Sequence, residues 1–307
     1  MAIGYLLLVI TLWQARPTFR MTRFLRRLLS AVAMWLIALF VVFSANELFF
    51  LLLIGSLGLA GLWEYFGMIE KSGMRCFKAF GMICGAAYFI GSFVFFRLNG
   101  FGSAYDFEMV VLVIFLFGVF ARQMFRPTIK QAPLESMTYT LFGILYVAWL
   151  FNFLTKIVYV TPPTSSGATT GQFYVLYLVV VTKFSDMGGY LVGSRIGKHK
   201  MMAHVSAAKT WEGFAGSLIF AILGSYLLLA IMPDRLAQLN YFHATILGLL
   251  IGIAAVVGDL GESIVKRSTG VKDSGSVLPG IGGIMDLIDS LLFTGPLLYF
   301  YLRFLVR

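Results

Sequence analysis

Apolar runs of bilayer-spanning length recur from about residue 28 to the end of the chain, separated by short polar connections. A hydrocarbon core about 30 Å thick needs about 20 consecutive apolar residues in a helix. In lipid every backbone donor and acceptor must be satisfied internally, so runs of this kind fold as α-helices. A transmembrane β-barrel would instead alternate apolar and polar residues in segments of about ten, and no such alternation is present. Charged residues make up only 12% of the 307 residues and apolar ones 59%, against about 25% charged in a soluble domain. The sequence therefore predicts an all-α, polytopic integral membrane protein, with no room for a sizeable soluble domain.

Hydropathy places nine spans at about 28–44, 47–69, 77–96, 107–120, 136–158, 171–192, 213–232, 242–265 and 286–306. The fourth is short and the first two are nearly continuous. With the N-terminus inside, 18 of the 24 lysines and arginines fall in inside connections and five outside, while Lys183 lies within a span. This asymmetry predicts an N-in/C-out topology and puts the polar loops 193–212 and 266–285 on the cytoplasmic side. The net charge of +10 is mostly accounted for by these topology signals; it also suits an anionic leaflet or anionic substrates.

Four regions follow: an N-terminal extension and basic leader (1–27), a transmembrane scaffold (28–158), an external linker (159–170) and a catalytic transmembrane domain (171–307). The first thirteen residues are apolar but too short to span, and five arginines follow. Without a basic leading region or a small-residue cleavage site, this stretch does not read as a secretory signal peptide. It reads as an interfacial anchor, or Met21 is the true start. Cys76 and Cys84 fit no metal or redox spacing and are expected to be free, packed thiols.

The linker divides the chain chemically. Spans before it are nearly free of charge apart from Glu47 and Glu64, whereas those after it carry Lys183, Asp186, Asp259, Glu262 and Asp286. A charged group at the centre of a span costs about 3 kcal/mol on insertion scales unless it is paired or hydrated, so the second half is the expected active half. Three clusters stand out there. In the first, Lys183 and Asp186 are spaced i,i+3 and either pair or face a ligand, while Gly188, Gly189 and Gly193 admit another backbone or a ligand. The second is the basic loop 197–213. Ser206 or Thr210 can cap the following helix, with Glu212 in its first turn. The lysines and the helix N-terminus suit phosphate, although an ordinary interfacial basic loop would look the same.

The third cluster, 259–289, concentrates charge of both signs. Asp259 and Glu262 share one helix face, and Asp286 and Asp289 repeat that spacing on the next helix. Carboxylates converging from two helices make an oxygen-rich site for a hard cation such as Mg²⁺, which usually shares its ligands with substrate phosphates. Between them lie Lys266, Arg267, Lys272, Asp273 and a glycine-rich segment leading into the last helix. A charged loop pairing with itself would not explain carboxylates on both flanking helices. The three histidines form no ligand-spaced pair, and neither a nucleophile elbow nor a Walker sequence is present. The charges crowd one membrane face rather than the midplane and no internal repeat is visible, which argues against a transporter.

Ser263-x-x-Lys266-Arg267, four residues, Lys272-Asp273, then Pro279-x-x-Gly282-Gly283 and Asp286-x-x-Asp289 resembles the signature of the bacterial phosphatidate cytidylyltransferase (CDP-diacylglycerol synthase) family. The upstream segments Ser185-Asp186 to Gly193, and Gly197-Lys198 through Ser206, Lys209-Thr210-Trp211-Glu212-Gly213, are similar to that family in the same order. The resemblance covers about residues 171–307. It implies a reaction in which CTP and phosphatidic acid give CDP-diacylglycerol and pyrophosphate, with Mg²⁺ and a second, monovalent cation such as K⁺. The family's metal aspartates map onto Asp259 and Asp286, with Glu262 and Asp289 as further contacts.

By type and place, Lys266, Arg267, Lys272 and Lys209 are assigned to phosphates. Asp186, Lys198, Ser206, Thr210, Glu212, Ser263, Gly282 and Gly283 join them as substrate-binding candidates, and Asp273 as a catalytic one. The resemblance also makes a homodimer an expectation; no nucleic-acid partner is expected. The family's usual His and Arg are Ile281 and Leu287 here, and its Pro-Lys before Lys209 is Ala207-Ala208, so roles of those side chains do not carry over. The rival readings are a cytidylyltransferase acting on another lipid phosphate and an inactive lipid-binding homologue.

Overall fold

The structure is a computed structural model that describes residues 23–99, 104–125, 133–160, 171–271, 274–275 and 282–305. The expectations about residues 1–22, most of the external linker, Lys272, Asp273 and Ile281 lie outside the described residues.

Among the described residues ten α-helices carry the fold: α1 (Arg23–Ser44), α2 (Glu47–Lys71), α3 (Lys78–Asn99), α4 (Ala104–Met124), α5 (Pro133–Gly143), α6 (Phe153–Val160), α7 (Gly171–Ile196), α8 (Trp211–Ile231), α9 (Tyr241–Ser268) and α10 (Met285–Leu305). Eight segments among the described residues are long and apolar enough to cross a membrane, and Leu28–Ser44 is a shorter apolar helix. The chain is an integral membrane protein. Leu36, Phe40 and Phe117 are each more than 60% exposed, as lipid-facing side chains are, while polar groups turn inward.

Local chemistry sets the breaks. The nearly continuous first two spans part at Ala45, which takes a positive φ of 52°, and at Asn46, whose Oδ1 accepts the Leu48 N–H at 2.9 Å and caps α2. The fifth span is not one regular helix: α5 runs into a π-helical turn at Ile144–Trp149 before α6 begins. The buried Asn152, just before α6, donates to Ser92 Oγ on α3 at 3.0 Å.

Charge in the first half exceeds the expected Glu47 and Glu64. Lys156 lies buried in α6 rather than in an outside connection. Its ammonium is 2.6 Å from the buried Glu108 carboxylate on α4, and Tyr88 O–H donates to the other Glu108 oxygen at 2.9 Å. The partner lies 48 residues away in sequence, beyond the reach of any helical spacing rule.

Helices α7, α8, α9 and α10 form the bundle that carries the motifs, with α2 and α6 packed behind α10. Glycines let α7 and α8 come together. A Cβ at Gly189 would meet Ser217 Oγ at 2.5 Å, and one at Gly216 would meet the Gly188 carbonyl at 2.7 Å. This small-residue seam is how membrane helices gain contact without a hydrophobic driving force. Of the glycines expected to admit a backbone or a ligand, Gly188 admits a backbone, while Gly189 and Gly193 also line a cavity. One departure from all-α is a small antiparallel hairpin, β1 (Lys200–Met202) with β2 (Ser206–Thr210).

Candidate active site

The hairpin positions the first lysine. Thr210 is extended (φ −128°, ψ 156°), and its Oγ1 accepts the Gly213 N–H at 3.1 Å, capping α8 as the sequence suggested. Glu212 in the first turn reaches back to the His199 N–H at 3.2 Å and to His199 Nδ1 at 2.6 Å. Trp211 N–H donates to the His199 carbonyl at 2.9 Å. Pinned at both ends, β2 points Lys209 across to α9. There its Nζ lies 2.8 Å from Asp259 Oδ2 and donates to the Val256 carbonyl at 3.0 Å.

The carboxylates come from α9 and α10, which meet closely at this level. A Cβ at Gly258 would lie 2.8 Å from the Asp289 carbonyl and 2.9 Å from Ser290 Cα. Glycine at 258 therefore lets the acidic faces of the two helices converge. Carboxylate oxygens of Asp259, Glu262 and Asp289 lie within 4.8 Å of one another, with Glu262 and Asp289 buried. Asp286 stands beside this trio rather than inside it. Lys266 bridges Glu262, at 2.8 Å, and Asp286, and Asp286 Oδ2 accepts the Gly283 N–H at 2.8 Å. On α7, Lys183 pairs with Asp186 at 3.0 Å and donates to the Leu287 carbonyl at 3.4 Å. The i,i+3 pair is thus present, and it also ties α7 to α10.

Apart from Lys183, these charged groups line one cavity of about 760 Å³. Of the sequence candidates, Asp186, Lys209, Thr210, Asp259, Glu262, Lys266, Asp286 and Asp289 face it. Lys198, Ser206, Glu212, Ser263, Arg267, Gly282 and Gly283 do not. Glu212 serves the hairpin, Ser206 pairs with Met202 in the strand ladder, and Gly283 holds Asp286. Lys200, Tyr190 and Ser217 line the cavity without having been singled out. Lys200 belonged to the basic loop, but only the hairpin register brings it to the cavity; the other two carried no signal.

The cluster suits a hard divalent cation. Ionised carboxylates at such separations repel by on the order of 3 kcal/mol per pair at an effective dielectric of about 20. The three lysines bonded to carboxylates (Lys183, Lys209 and Lys266) face five acids (Asp186, Asp259, Glu262, Asp286 and Asp289). That leaves a formal surplus of two negative charges, or one when Lys200 on the cavity wall is counted. Glu262 Oε1 is buried without a hydrogen-bond partner among the described residues, an oxygen suited to a ligand outside the chain.

The chain matches the cytidylyltransferase family over residues 25–305. It is 30% identical to the phosphatidate cytidylyltransferase of Bacillus subtilis over 280 residues, covering 90% of this chain and 97% of that protein. It is 29% identical to the phosphatidate cytidylyltransferase of Haemophilus influenzae over 291 residues, covering 90% and 98%. It is also 38% identical over 165 residues to the Escherichia coli protein named uncharacterized protein YnbB, covering 54% of this chain and about half, 51%, of that one. With a match across nearly its whole length, the chain belongs to the cytidylyltransferase family.

Proposed function

We propose that the protein is a CTP:phosphatidate cytidylyltransferase, joining CTP and phosphatidic acid to give CDP-diacylglycerol and pyrophosphate. The observation that carries this is the single cavity in which carboxylates from α9 and α10 meet lysines from the hairpin and α9, on the motifs of a family whose curated relatives bear that name. An oxygen of the lipid phosphate attacks the α-phosphorus of CTP, the bond to the bridging oxygen breaks, and pyrophosphate leaves with that electron pair. Such transfer needs alignment and charge neutralisation more than a covalent nucleophile.

Asp259, Glu262 and Asp289 would hold Mg²⁺, with Asp286 adjoining; the ion supplies positive charge to the transferring phosphoryl group. Lys209 and Lys266, each within 3 Å of a carboxylate, present ammonium groups to the substrate phosphates, and Lys200 adds charge at the mouth. Asp186 holds Lys183 in place. Thr210 fixes the start of α8 and so the reach of Lys209. Arg267, Lys272 and Asp273 remain candidates for the same phosphates, and K⁺ for a second cation. The positive-inside bias supports an N-in/C-out arrangement in a bacterial inner membrane, with the cavity open to the cytoplasm and lipid arriving laterally. A homodimer rests on the family resemblance alone.

Leu287 sits where the family carries Arg, and its side chain packs against the apolar core. This favours, as a second reading, a different lipid phosphate as acceptor. Purified protein given CTP, Mg²⁺ and phosphatidate should form CDP-diacylglycerol. Failure alongside an active relative in the same detergent would overturn the proposal, and product formed only with another lipid phosphate would select the second reading.

A further inference from the structure

The scaffold half reaches the carboxylate site through α2, and two of its side chains hold the two ends of the segment joining α9 to α10. Ser72, at the C-terminal end of α2, has its Oγ 2.7 Å from the Thr269 carbonyl, just past α9, and 2.7 Å from its own Met68 carbonyl. Its single proton is shared between them. Two turns back, Glu64 Oε2 accepts the Met285 N–H at 2.8 Å, the first residue of α10. Eight residues of helix span roughly 12 Å, so α2 grips the segment at two separated points. One turn before Glu64, α2 lies against α10: a Cβ at Gly61 would meet Ile288 Cδ1 at 2.6 Å.

Glu64 is 5% exposed and comes from the half of the chain that holds none of the motifs. The first N–H groups of a helix have no partner inside it, and a carboxylate there is favoured by the helix dipole. Glu64 supplies that partner from another helix. Its carboxylate also fills the space between the two stems of the segment. A Cβ at Gly275 would meet the Glu64 carboxyl carbon at 2.6 Å, and one at Gly283 would meet Oε2 at 2.6 Å. Gly283 is the residue whose N–H fixes Asp286, and Asp289 follows one turn later. Among the described residues, Glu64 Oε1 and Ser274 Oγ, both buried, have no hydrogen-bond partner. They leave the clamp stabilised mainly by the Met285 bond and by close packing.

We propose that Glu64 is a positioning residue for the carboxylate site. By capping α10 and wedging between Gly275 and Gly283, it sets the angle at which Asp286 and Asp289 meet Asp259 and Glu262. Removing it would loosen the cation site without removing any ligand. The inference rests on the cytidylyltransferase reading for its activity arm but not for its binding arm.

The test uses purified full-length protein in detergent, with Mn²⁺ as probe. Binding is read from the loss of the free-ion paramagnetic resonance signal, and kcat and KM are measured for CTP with phosphatidate. Glu64→Ala, still eluting as a single folded species, is expected to weaken Mn²⁺ binding by about 10-fold or more and to lower kcat comparably, as loss of a partner that orients metal ligands does. Glu64→Gln keeps an oxygen that accepts the Met285 N–H and should restore both to within about threefold of the parent, a far smaller loss than such a partner's removal brings. Should Glu64→Ala not fold, Gly275→Ala, which retains Glu64 but displaces its carboxylate, is expected to weaken Mn²⁺ binding in the same way. Parent-like Mn²⁺ binding in Glu64→Ala (or in Gly275→Ala, should the former not fold), or a folded Glu64→Gln as impaired as the alanine variant, overturns the proposal. Absence of CDP-diacylglycerol from the parent itself would overturn the substrate reading alone, leaving the Mn²⁺ comparison to judge Glu64.

Discussion

Lys209 binds α9 at two points one turn apart: its ammonium lies 2.8 Å from the Asp259 carboxylate and donates to the Val256 carbonyl at 3.0 Å. A residue on a hairpin beside the helices thereby becomes part of the helical site. Lys209→Met removes a positive charge from the cavity without touching a carboxylate. Hydrogen bonds to charged groups contribute about 1.5–3 kcal/mol, so kcat/KM for CTP should fall by about 10- to 100-fold, mainly through KM. Mn²⁺ affinity should hold or rise, because Asp259 loses a competing cation. A fall in Mn²⁺ affinity as large as the fall in kcat/KM would show that Lys209 organises the cation site rather than the phosphates.

Asp259, Glu262 and Asp289 are distinguished from Asp286 by convergence: their carboxylate oxygens lie within 4.8 Å of one another, and Asp286 stands beside them. Asp286 is held by Lys266 and the Gly283 N–H, Asp259 and Glu262 each by one lysine, and Asp289 accepts the neighbouring Ser290 N–H at 2.5 Å. Asp259→Asn, Glu262→Gln and Asp289→Asn should each lower activity by about 100-fold and shift the Mg²⁺ activation curve to higher concentration, since each removes a candidate ligand. Asp286→Asn should lower activity with a smaller shift of that curve. Equal shifts for all four would place Asp286 among the ligands on the same footing.

What was legible in the sequence follows from range. Helix spans, the pairing of Lys183 with Asp186 and the Thr210 cap all depend on residues within four positions of one another, and periodicity encodes those. The gathering of carboxylates at 259, 262, 286 and 289 was legible because two adjacent helices repeat one spacing. The Lys209–Asp259 bond depends on how a hairpin folds back, and no local pattern carries that. Arg267 and Ser263 belong to the motif by spacing, yet helical geometry turns them away from the cavity that Lys266 and Glu262 face. Glu64 was visible only as a lone acid in an apolar span; its partner lies 221 residues away.

Cys76 tests the connection between α2 and α3, outside the spans. Burial, aided by the nearby Glu70 carboxylate and opposed by Lys78, pushes its thiol up to about 11. The thiolate is the nucleophile, so the raised value means a neutral, slow thiol at neutral pH. In a Cys84→Ser variant, iodoacetamide should label Cys76 at a rate that rises about tenfold per pH unit through pH 10, whereas the unfolded chain levels off near the ordinary thiol value of about 8.5. A plateau in the folded protein below pH 9 would show that the thiol is not shielded as described.

The Lys156–Glu108 pair tests what holds the scaffold half together. Its side chains are 5% and 8% exposed, 2.6 Å apart, and bonded onward to Tyr88. The ammonium also lies 3.7 Å above the centre of the Phe153 ring. Neither group lines the motif-bearing cavity, so the pair should matter for stability rather than turnover. Breaking a buried pair by removing one partner leaves an uncompensated charge and costs about 3–5 kcal/mol, whereas replacing both by apolar residues of similar size is often near neutral. Lys156→Met and Glu108→Leu should therefore each lower the unfolding midpoint in detergent markedly, and the double substitution should recover most of the loss. Turnover per folded molecule should stay at the parent level in all three. If the double variant is as unstable as the singles, the packing around Tyr88 and Asn152 carries the stability; a selective loss of turnover would instead make the pair part of the reaction.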